Sequence, residues 1–167
     1  MSLMKKSIRL LLWVCFCIYC FVLAYILILN RGSLTHISYD QYFRLFTNFI
    51  PFKTIIEYVR WYSDGYQNLS VLNLLGNFVL FMPMGAMSPC IFQKLDSFLK
   101  VTLTVLCVVV SVEIVQGILR VGSVDVDDVL FNMIGAVIGY GFIKIPIVFR
   151  FFKKIELIKE KITPTKQ

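Results

Sequence analysis

The chain has 167 residues, of which 58% are hydrophobic and 16% are charged, and its formal net charge is +7. An ordinary soluble domain averages about 45–50% apolar and about 25% charged residues, so this composition excludes that class. The Lys and Arg residues flank apolar segments and form no nucleic-acid-binding motif. We therefore read the positive charge as a membrane-topology signal and expect no nucleic-acid partner.

Four apolar segments dominate the chain, at about residues 10–29, 71–92, 99–119 and 128–149. Each approaches the ~20 residues that a helix needs to cross a bilayer. Basic residues precede the first segment as in a signal peptide, but the segment is too long and lacks a small-residue cleavage site, so we expect an uncleaved anchor. The pattern predicts one all-α integral membrane domain over residues 1–167 with four transmembrane helices.

The distribution of Lys and Arg predicts the orientation of these helices. Basic residues are concentrated before the first segment, in the turn at Lys94 and Lys100, and in the tail 150–167. Fewer lie in the loop 30–70 and near Arg120. Because positive residues remain in the cytoplasm, we predict a multi-pass plasma-membrane protein with both termini inside and the loop 30–70 outside.

The outer loop 30–70 predicts a helix of its own. After Pro51, apolar residues recur at helical spacing from Phe52 to Tyr62, and charged residues occupy the other side. Proline suits the first turn of a helix. We predict an amphipathic helix between transmembrane helices 1 and 2 that lies in the outer interface. The alternative is a small helix packed on the outer ends of the bundle.

Polar residues form a stripe on each of three predicted membrane helices. Their three- and four-residue spacing places the members of each stripe on one helix face. A charge at the centre of such a helix costs about 2.5–3.5 kcal/mol and needs a partner or a polar cavity. The stripes consist of Asn73 and Asn77, then Glu113, Gln116 and Arg120, then Asp128 and Asn132.

These stripes predict a polar cleft in the outer half of the membrane. At ~1.5 Å per residue, Glu113, Asn77 and Asn132 all lie about 6–10 Å below the outer ends of their helices. We therefore expect Glu113 to meet both amides. The predicted site comprises Glu113, Gln116, Arg120, Asp125, Asp128, Asn132, Asn77 and Asn73, and Asp127 is placed with the acids at its mouth.

A purely structural explanation remains open for each residue. Amides and carboxylates between helices form hydrogen bonds worth about 0.6–2 kcal/mol that stabilise a bundle. The G-x-x-x-G spacing of Gly135 and Gly139 also favours close helix packing. Such packing requires neither a deep carboxylate nor several acids at the mouth, so we favour function for the set as a whole.

Three sequence stretches resemble the VanZ-like family of bacterial membrane proteins, which is named for the teicoplanin resistance protein VanZ. They are NFIPFKT from Asn48, NLLGNFVLFMPMG from Asn73, and SVEIVQGILRVGSVDVDDVLFNMIGAVIGY from Ser111. The resemblance covers most of residues 45–145. It implies a small integral membrane protein of the bacterial cell membrane, some of whose relatives lower susceptibility to teicoplanin and related lipoglycopeptides, and it implies no established reaction.

Three functions compete at this stage. In the first, the cleft binds a membrane lipid, a lipid-linked wall precursor or a lipoglycopeptide without catalysis, giving low-level teicoplanin resistance or modulation of the cell envelope. In the second, an enzyme acts on a lipid-linked substrate through carboxylate acid–base chemistry, or through a divalent cation held by Glu113, Asp125 and Asp128. Transport is the third and weakest. No nucleophile–base pair or H-E-x-x-H motif is present in the sequence, so we favour binding without a cofactor or metal.

Overall fold

The computed structural model describes the backbone of residues 3–63 and 67–154, and the side chains of residues 6–60 and 75–153. The fold is mostly helical. In chain order the elements are α1 (Leu3–Ala24), a π-helical turn (Tyr25–Leu29), α2 (Tyr39–Leu45), β1 (Thr47–Asn48), α3 (Lys53–Ser63), α4 (Gln67–Ile91), α5 (Phe98–Leu119), β2 (Val124–Asp125), α6 (Val126–Lys144) and α7 (Pro146–Lys154).

Three helical segments within the described residues are long and apolar enough to cross a membrane. They are Lys6–Leu29, Phe98–Leu119 and Val126–Lys144, which correspond to the predicted first, third and fourth crossings. A shorter apolar segment, Leu75–Ile91, begins where the described side chains of α4 begin. These three helices identify the chain as a membrane protein, and the predicted second crossing, in α4, remains a prediction.

Helices α4 and α6 pack closely in the bundle, because glycines bring the two backbones together. A Cβ atom added to Gly135 would overlap the carbonyl group of Phe78, and one added to Gly139 would overlap that of Met82. Small residues at such positions allow close approach of membrane helices. The close approach expected from the G-x-x-x-G spacing is confirmed.

The last predicted membrane segment ends earlier than expected. Helix α6 ends at Lys144, whereas the sequence pattern continued the segment to residue 149. Ile145 adopts an extended ψ of 127°, and Pro146 starts α7. A residue before proline disfavours the helical conformation and proline suits a first helical position, so the apolar run 128–149 is divided between two helices.

The loop between the π-helical turn and α4 is folded onto the connection between α5 and α6. Strand β1 pairs in parallel with β2, with Asn48 opposite Asp125, and Ser33 bridges to Val121. A capping box of Ser38 and Gln41 starts α2. The helix predicted after Pro51 is present as α3; its position at a membrane interface remains a prediction.

Candidate binding site at the α5–α6 connection

Glu113 fixes the segment that connects α5 and α6. Its Oε2 atom accepts a hydrogen bond of 3.0 Å from the backbone N–H of Asp125. Helix α5 ends just before this segment because Arg120 takes a left-handed conformation, with φ of 50°, that lets its N–H reach the carbonyl groups of Gln116 and Gly117. The deep carboxylate therefore positions β2, which carries the next acid.

Asp125 joins three parts of the chain. Its side chain caps α6 by accepting from the N–H of Asp127 at 2.8 Å. It also accepts from the amide of Asn48 at 3.0 Å and from the hydroxyl of Thr54. The parallel register of β1 and β2 places Asn48 and Asp125 side by side, which explains this pairing across the fold.

Asp127 anchors the start of α3. Its Oδ1 accepts from the N–H of Phe52 at 2.6 Å, and its Oδ2 accepts from the N–H groups of Thr54 at 2.9 Å and Ile55 at 3.4 Å. The first N–H groups of a helix have no partner inside the helix and favour a negative charge. Asp127 is only 1% exposed, so this carboxylate is structural.

Asp128 joins the start of α6 to α4. Its Oδ1 accepts a hydrogen bond from the amide of Asn77. Both side chains line a small, closed space beside Ile55 and Phe131. The structure thus joins two of the predicted site residues, but it separates them from the groove described below.

The prediction that Glu113 meets the two amides of Asn77 and Asn132 is wrong. No hydrogen bond within the described residues joins Glu113 to Asn77 or Asn132. Asn77 is occupied with Asp128, and Asn132 is 3% exposed with an Oδ1 that has no partner among the described residues. Asn73 lies in α4, but its side chain is outside the described residues.

Gln116 and Arg120 hold other segments against α5. The amide of Gln116 donates to the carbonyl oxygen of Leu27 at 2.8 Å, in the π-helical turn. The Arg120 guanidinium donates to the carbonyl oxygen of Ile37 and lies over the ring of Tyr39, 4.3 Å from its centroid. Arg120 therefore supports Tyr39, whereas Gln116 joins α5 to the end of the first membrane segment.

An open groove with a volume of about 650 Å³ lies next to Glu113 and Asp125. Apart from these two carboxylates its lining is almost wholly apolar. Helix α5 supplies one wall, the start of α6 another, and aromatic side chains from the folded loop a third. The remaining lining residues are Tyr39, Phe43, Phe49, Val110, Ile114, Gly117, Ile118, Val124, Val126 and Val129.

The aromatic wall is held in place by polar contacts with the α5–α6 connection. Tyr39 donates its hydroxyl to the carbonyl oxygen of Ile118 at 2.9 Å. Tyr42 is fully buried behind the wall, and its hydroxyl donates to the carbonyl oxygen of Gly122 at 3.4 Å. The pKa of Tyr42 is raised mainly by burial and to a smaller extent by the nearby Glu113. The phenol of Tyr42 therefore remains a neutral hydrogen-bond donor.

Arg31 is a charged neighbour of the site that the sequence pattern did not single out. Its side chain is half-buried and packs beside Gly122, and it acts electrostatically on both Glu113 and Asp128. The signal that could have found it is its position directly after the first membrane segment. In the described part of the chain, no group of three or more His, Cys, Asp or Glu side chains has an arrangement that could hold a metal ion.

The comparison with known families agrees with the motifs that build this site. The VanZ/LLP1 family profile matches residues 16–150, which include the whole groove, both strands and helices α4 to α6. The chain belongs to the VanZ/LLP1 family. No curated protein and no solved structure matches this chain. The matched region contains Asn48 and Thr54 of the NFIPFKT stretch. It also contains Asp125, whose side chain both of them bind.

Proposed function

We propose that this VanZ-like membrane protein binds the chain of an amphiphile in the groove beside Glu113, at the outer surface of the bacterial cell membrane. The candidate ligands are a lipoglycopeptide such as teicoplanin and a lipid-linked wall precursor. Binding there would modulate the cell envelope and give low-level teicoplanin resistance. The observation that carries the proposal is the open apolar groove that ends at two carboxylates.

The walls of the groove suit a hydrocarbon chain. Ile114, Ile118 and Val129 present aliphatic surface to a volume of about 650 Å³, within the range of small-molecule sites. Burial of apolar surface contributes about 25 cal/mol per Å², so a chain of several carbons gains stability there when the polar group that it carries is accommodated as well. In a bilayer the gain is smaller, because lipid tails also provide an apolar environment, so the ligand's polar part must supply selectivity.

The polar end of the groove selects hydrogen-bond donors. Within the described chain only Oε2 of Glu113 is engaged, by the N–H of Asp125. The carboxyl oxygens of Glu113 accept hydrogen bonds, and a phosphate offers only further acceptors, so this end of the groove favours hydroxyl, amide or ammonium donors. We therefore expect the ligand to place a sugar or an amine, rather than a phosphate, next to Glu113. Teicoplanin meets this requirement, because its acyl chain is attached to a sugar, whereas a diphosphate separates the chain from the sugar in a lipid-linked wall precursor; we therefore expect teicoplanin to bind more tightly.

The test is ligand binding to the full chain in lipid nanodiscs. Fluorescent teicoplanin and a fluorescent lipid-linked wall precursor are titrated separately against the wild type and against Ile114→Trp, which fills the groove. The control is Ile134→Trp, because Ile134 is exposed on α6 and lines none of the described hollows. We expect Ile114→Trp to weaken one ligand at least tenfold and Ile134→Trp to leave both unchanged.

The same titration has results that contradict the proposal. Equal affinity of both tryptophan variants, or no saturable binding by the wild type, would exclude the groove as the binding site. Teicoplanin without its acyl chain serves as a further comparison and should bind much more weakly. No observation on the described residues favours the catalytic alternative, which remains a separate hypothesis for the same carboxylates.

A further inference from the structure

A second hollow lies at the opposite end of α5 from the groove. Its volume is about 770 Å³, and it is formed between the first half of α1, the end of α4 and the turn that leads to α5. Helix α5 has 22 residues, so at 1.5 Å per residue the two ends are about 33 Å apart. The second half of α5 lines the groove, whereas Thr104 and the turn before α5 line the hollow, so in the predicted orientation the two spaces open towards opposite membrane surfaces.

This hollow combines positive charge with aromatic surface. Arg9 from α1 and Lys94 from the turn both line it, and no acidic residue is among its described lining residues. Trp13 also lines it and packs edge-on against Phe92, with ring centroids 5.2 Å apart. Basic side chains with a tryptophan beside them are typical of the headgroup layer of a membrane.

An apolar furrow continues from the hollow along α5. This furrow has a volume of about 370 Å³ and runs past Cys107, Val108 and Val112 to Ile28. Thr104 lines both the furrow and the basic hollow, so the two spaces adjoin. A basic hollow that could hold a headgroup thus adjoins an apolar furrow that could hold an acyl chain. A phospholipid-binding site needs both.

The end of the first membrane segment is joined to α5 near the furrow. The bond from Gln116 to the carbonyl oxygen of Leu27 joins them at the π-helical turn. Towards the other end α1 packs against α4 instead, where the hydroxyl of Tyr19 donates to the carbonyl oxygen of Leu80 at 2.7 Å. The furrow lies along α5 beside the junction at Leu27, with Ile28 at one end, and offers an acyl chain an apolar surface to follow.

We propose that Arg9, Lys94 and the adjoining furrow form a binding site for an anionic phospholipid, with the phosphate at the two basic side chains and one acyl chain along Thr104. This site is separate from the groove at Glu113 and independent of the function proposed for it. Its chemistry is opposite, because its polar end is cationic and selects a negative headgroup, whereas the polar end of the groove selects hydrogen-bond donors. In the proposed orientation it faces the cytoplasmic leaflet, whose anionic lipids attract basic side chains.

The test is native mass spectrometry of the full chain, released from detergent after incubation with phosphatidylglycerol or phosphatidylcholine. The variants Arg9→Gln and Lys94→Gln are compared with Lys100→Gln, which removes one charge from the same end of the molecule. Lys100 is a matched control because it is already paired with Asp96 at 2.6 Å. A Thr104→Phe variant tests the furrow separately by filling the point where the two spaces adjoin.

We expect the wild type to retain phosphatidylglycerol in preference to phosphatidylcholine. Arg9→Gln and Lys94→Gln should each lower the retention of phosphatidylglycerol about fivefold, as expected for loss of one basic contact with an anionic lipid. Lys100→Gln should retain it like the wild type, and Thr104→Phe should lower the retention of both lipids. Millimolar inorganic phosphate should not displace the lipid, because it lacks the acyl chain.

Three results would overturn the proposal. The wild type could retain both lipids equally, or Lys100→Gln could lower retention as much as the two site variants do. Displacement by inorganic phosphate would mean that only an anion binds. The thermal unfolding temperature of each variant is measured as well. It should equal that of the wild type, because the four substituted residues are exposed or half-buried.

Discussion

Asp127 and Glu113 belong to the same acidic cluster and are almost equally buried, with 1% and 7% of their surfaces exposed. Their surroundings differ. Both oxygens of Asp127 are occupied by N–H groups at the start of α3, whereas Glu113 uses one oxygen for the N–H of Asp125 and lines an open groove. One region anchors the folded loop, and the other forms the candidate site.

Burial of a carboxylate therefore does not by itself indicate function. Asp127 satisfies the unpaired N–H groups of a helix, which is a sufficient physical reason for its burial. Glu113 keeps an oxygen available at the end of an apolar space, for which the fold alone gives no reason. The predictions below separate the two regions by the stability and the binding that each contributes.

The largest effect is expected from Asp127→Ala. This change leaves the N–H groups of Phe52 and Thr54 without acceptors, which should lower the free energy of unfolding by about 3 kcal/mol. Denaturation in mixed micelles, followed by circular dichroism, measures it. Asp127→Asn keeps one acceptor oxygen and should lose less; a change below about 1 kcal/mol for the alanine variant would contradict the anchoring role.

A smaller loss of stability is expected from Thr54→Val. The new side chain keeps the shape but removes the hydroxyl that donates to Asp125 and accepts from Asn48 at 3.1 Å. The expected loss is about 1–2 kcal/mol in the same denaturation experiment. The exposed Thr35→Val is the control, and equal effects of the two changes would mean that the Asp125 network adds no stability.

Glu113→Gln should reverse the pattern, with little change in stability and a large change in binding. Glutamine retains an acceptor for the N–H of Asp125, so we expect a loss below about 1 kcal/mol. Affinity for the fluorescent ligand should fall about tenfold, since the amide group of glutamine replaces one acceptor oxygen by a donor beside the donor of the ligand. Glu57→Gln, the same change on α3 outside the groove, should bind normally. Unchanged binding by Glu113→Gln would remove the carboxylate from the site.

The smallest effect is expected from Arg44→Gln on α2. Arg44 forms an ion pair with Asp40 in which both side chains are about 70% exposed. Such pairs contribute roughly 0.2–1 kcal/mol, so stability should fall by no more than that and binding should remain the same. A larger loss would show that α2 depends on surface charge rather than on Ser38 and on the contacts of Tyr39 and Tyr42.

The sequence pattern predicted the helices well because apolar length and three- or four-residue spacing are local properties. It identified Glu113 and Gln116 on one face of α5, and it expected the close packing at Gly135 and Gly139. It extended the last membrane segment too far, since it gave no weight to Pro146. The structure places that helix end at Lys144.

The contacts around the site could not be predicted, because they join residues that are distant in the chain. Asn48 and Asp125 meet only through the pairing of β1 with β2, and two-residue strands leave almost no pattern in a sequence. Helical depth alone led us to expect Glu113 to meet Asn77 and Asn132, but it could not determine which way each side chain turns, and Asn77 binds Asp128 instead. The sequence pattern assigned no role to Tyr39, Phe43 and Phe49, which form one wall of the groove in the structure.

The central claim is that a ligand chain lies in the groove beside Glu113, and site-directed photo-crosslinking tests it most directly. A photoreactive amino acid is placed at Ile114 in the groove or at Ile134 on the exposed face of α6, and the full chain is illuminated with teicoplanin and, separately, with a lipid-linked wall precursor. The account predicts that one of these ligands crosslinks at residue 114, is displaced by excess unlabelled ligand, and does not crosslink at residue 134. Equal crosslinking at both positions, or none at residue 114 with either ligand, would contradict it.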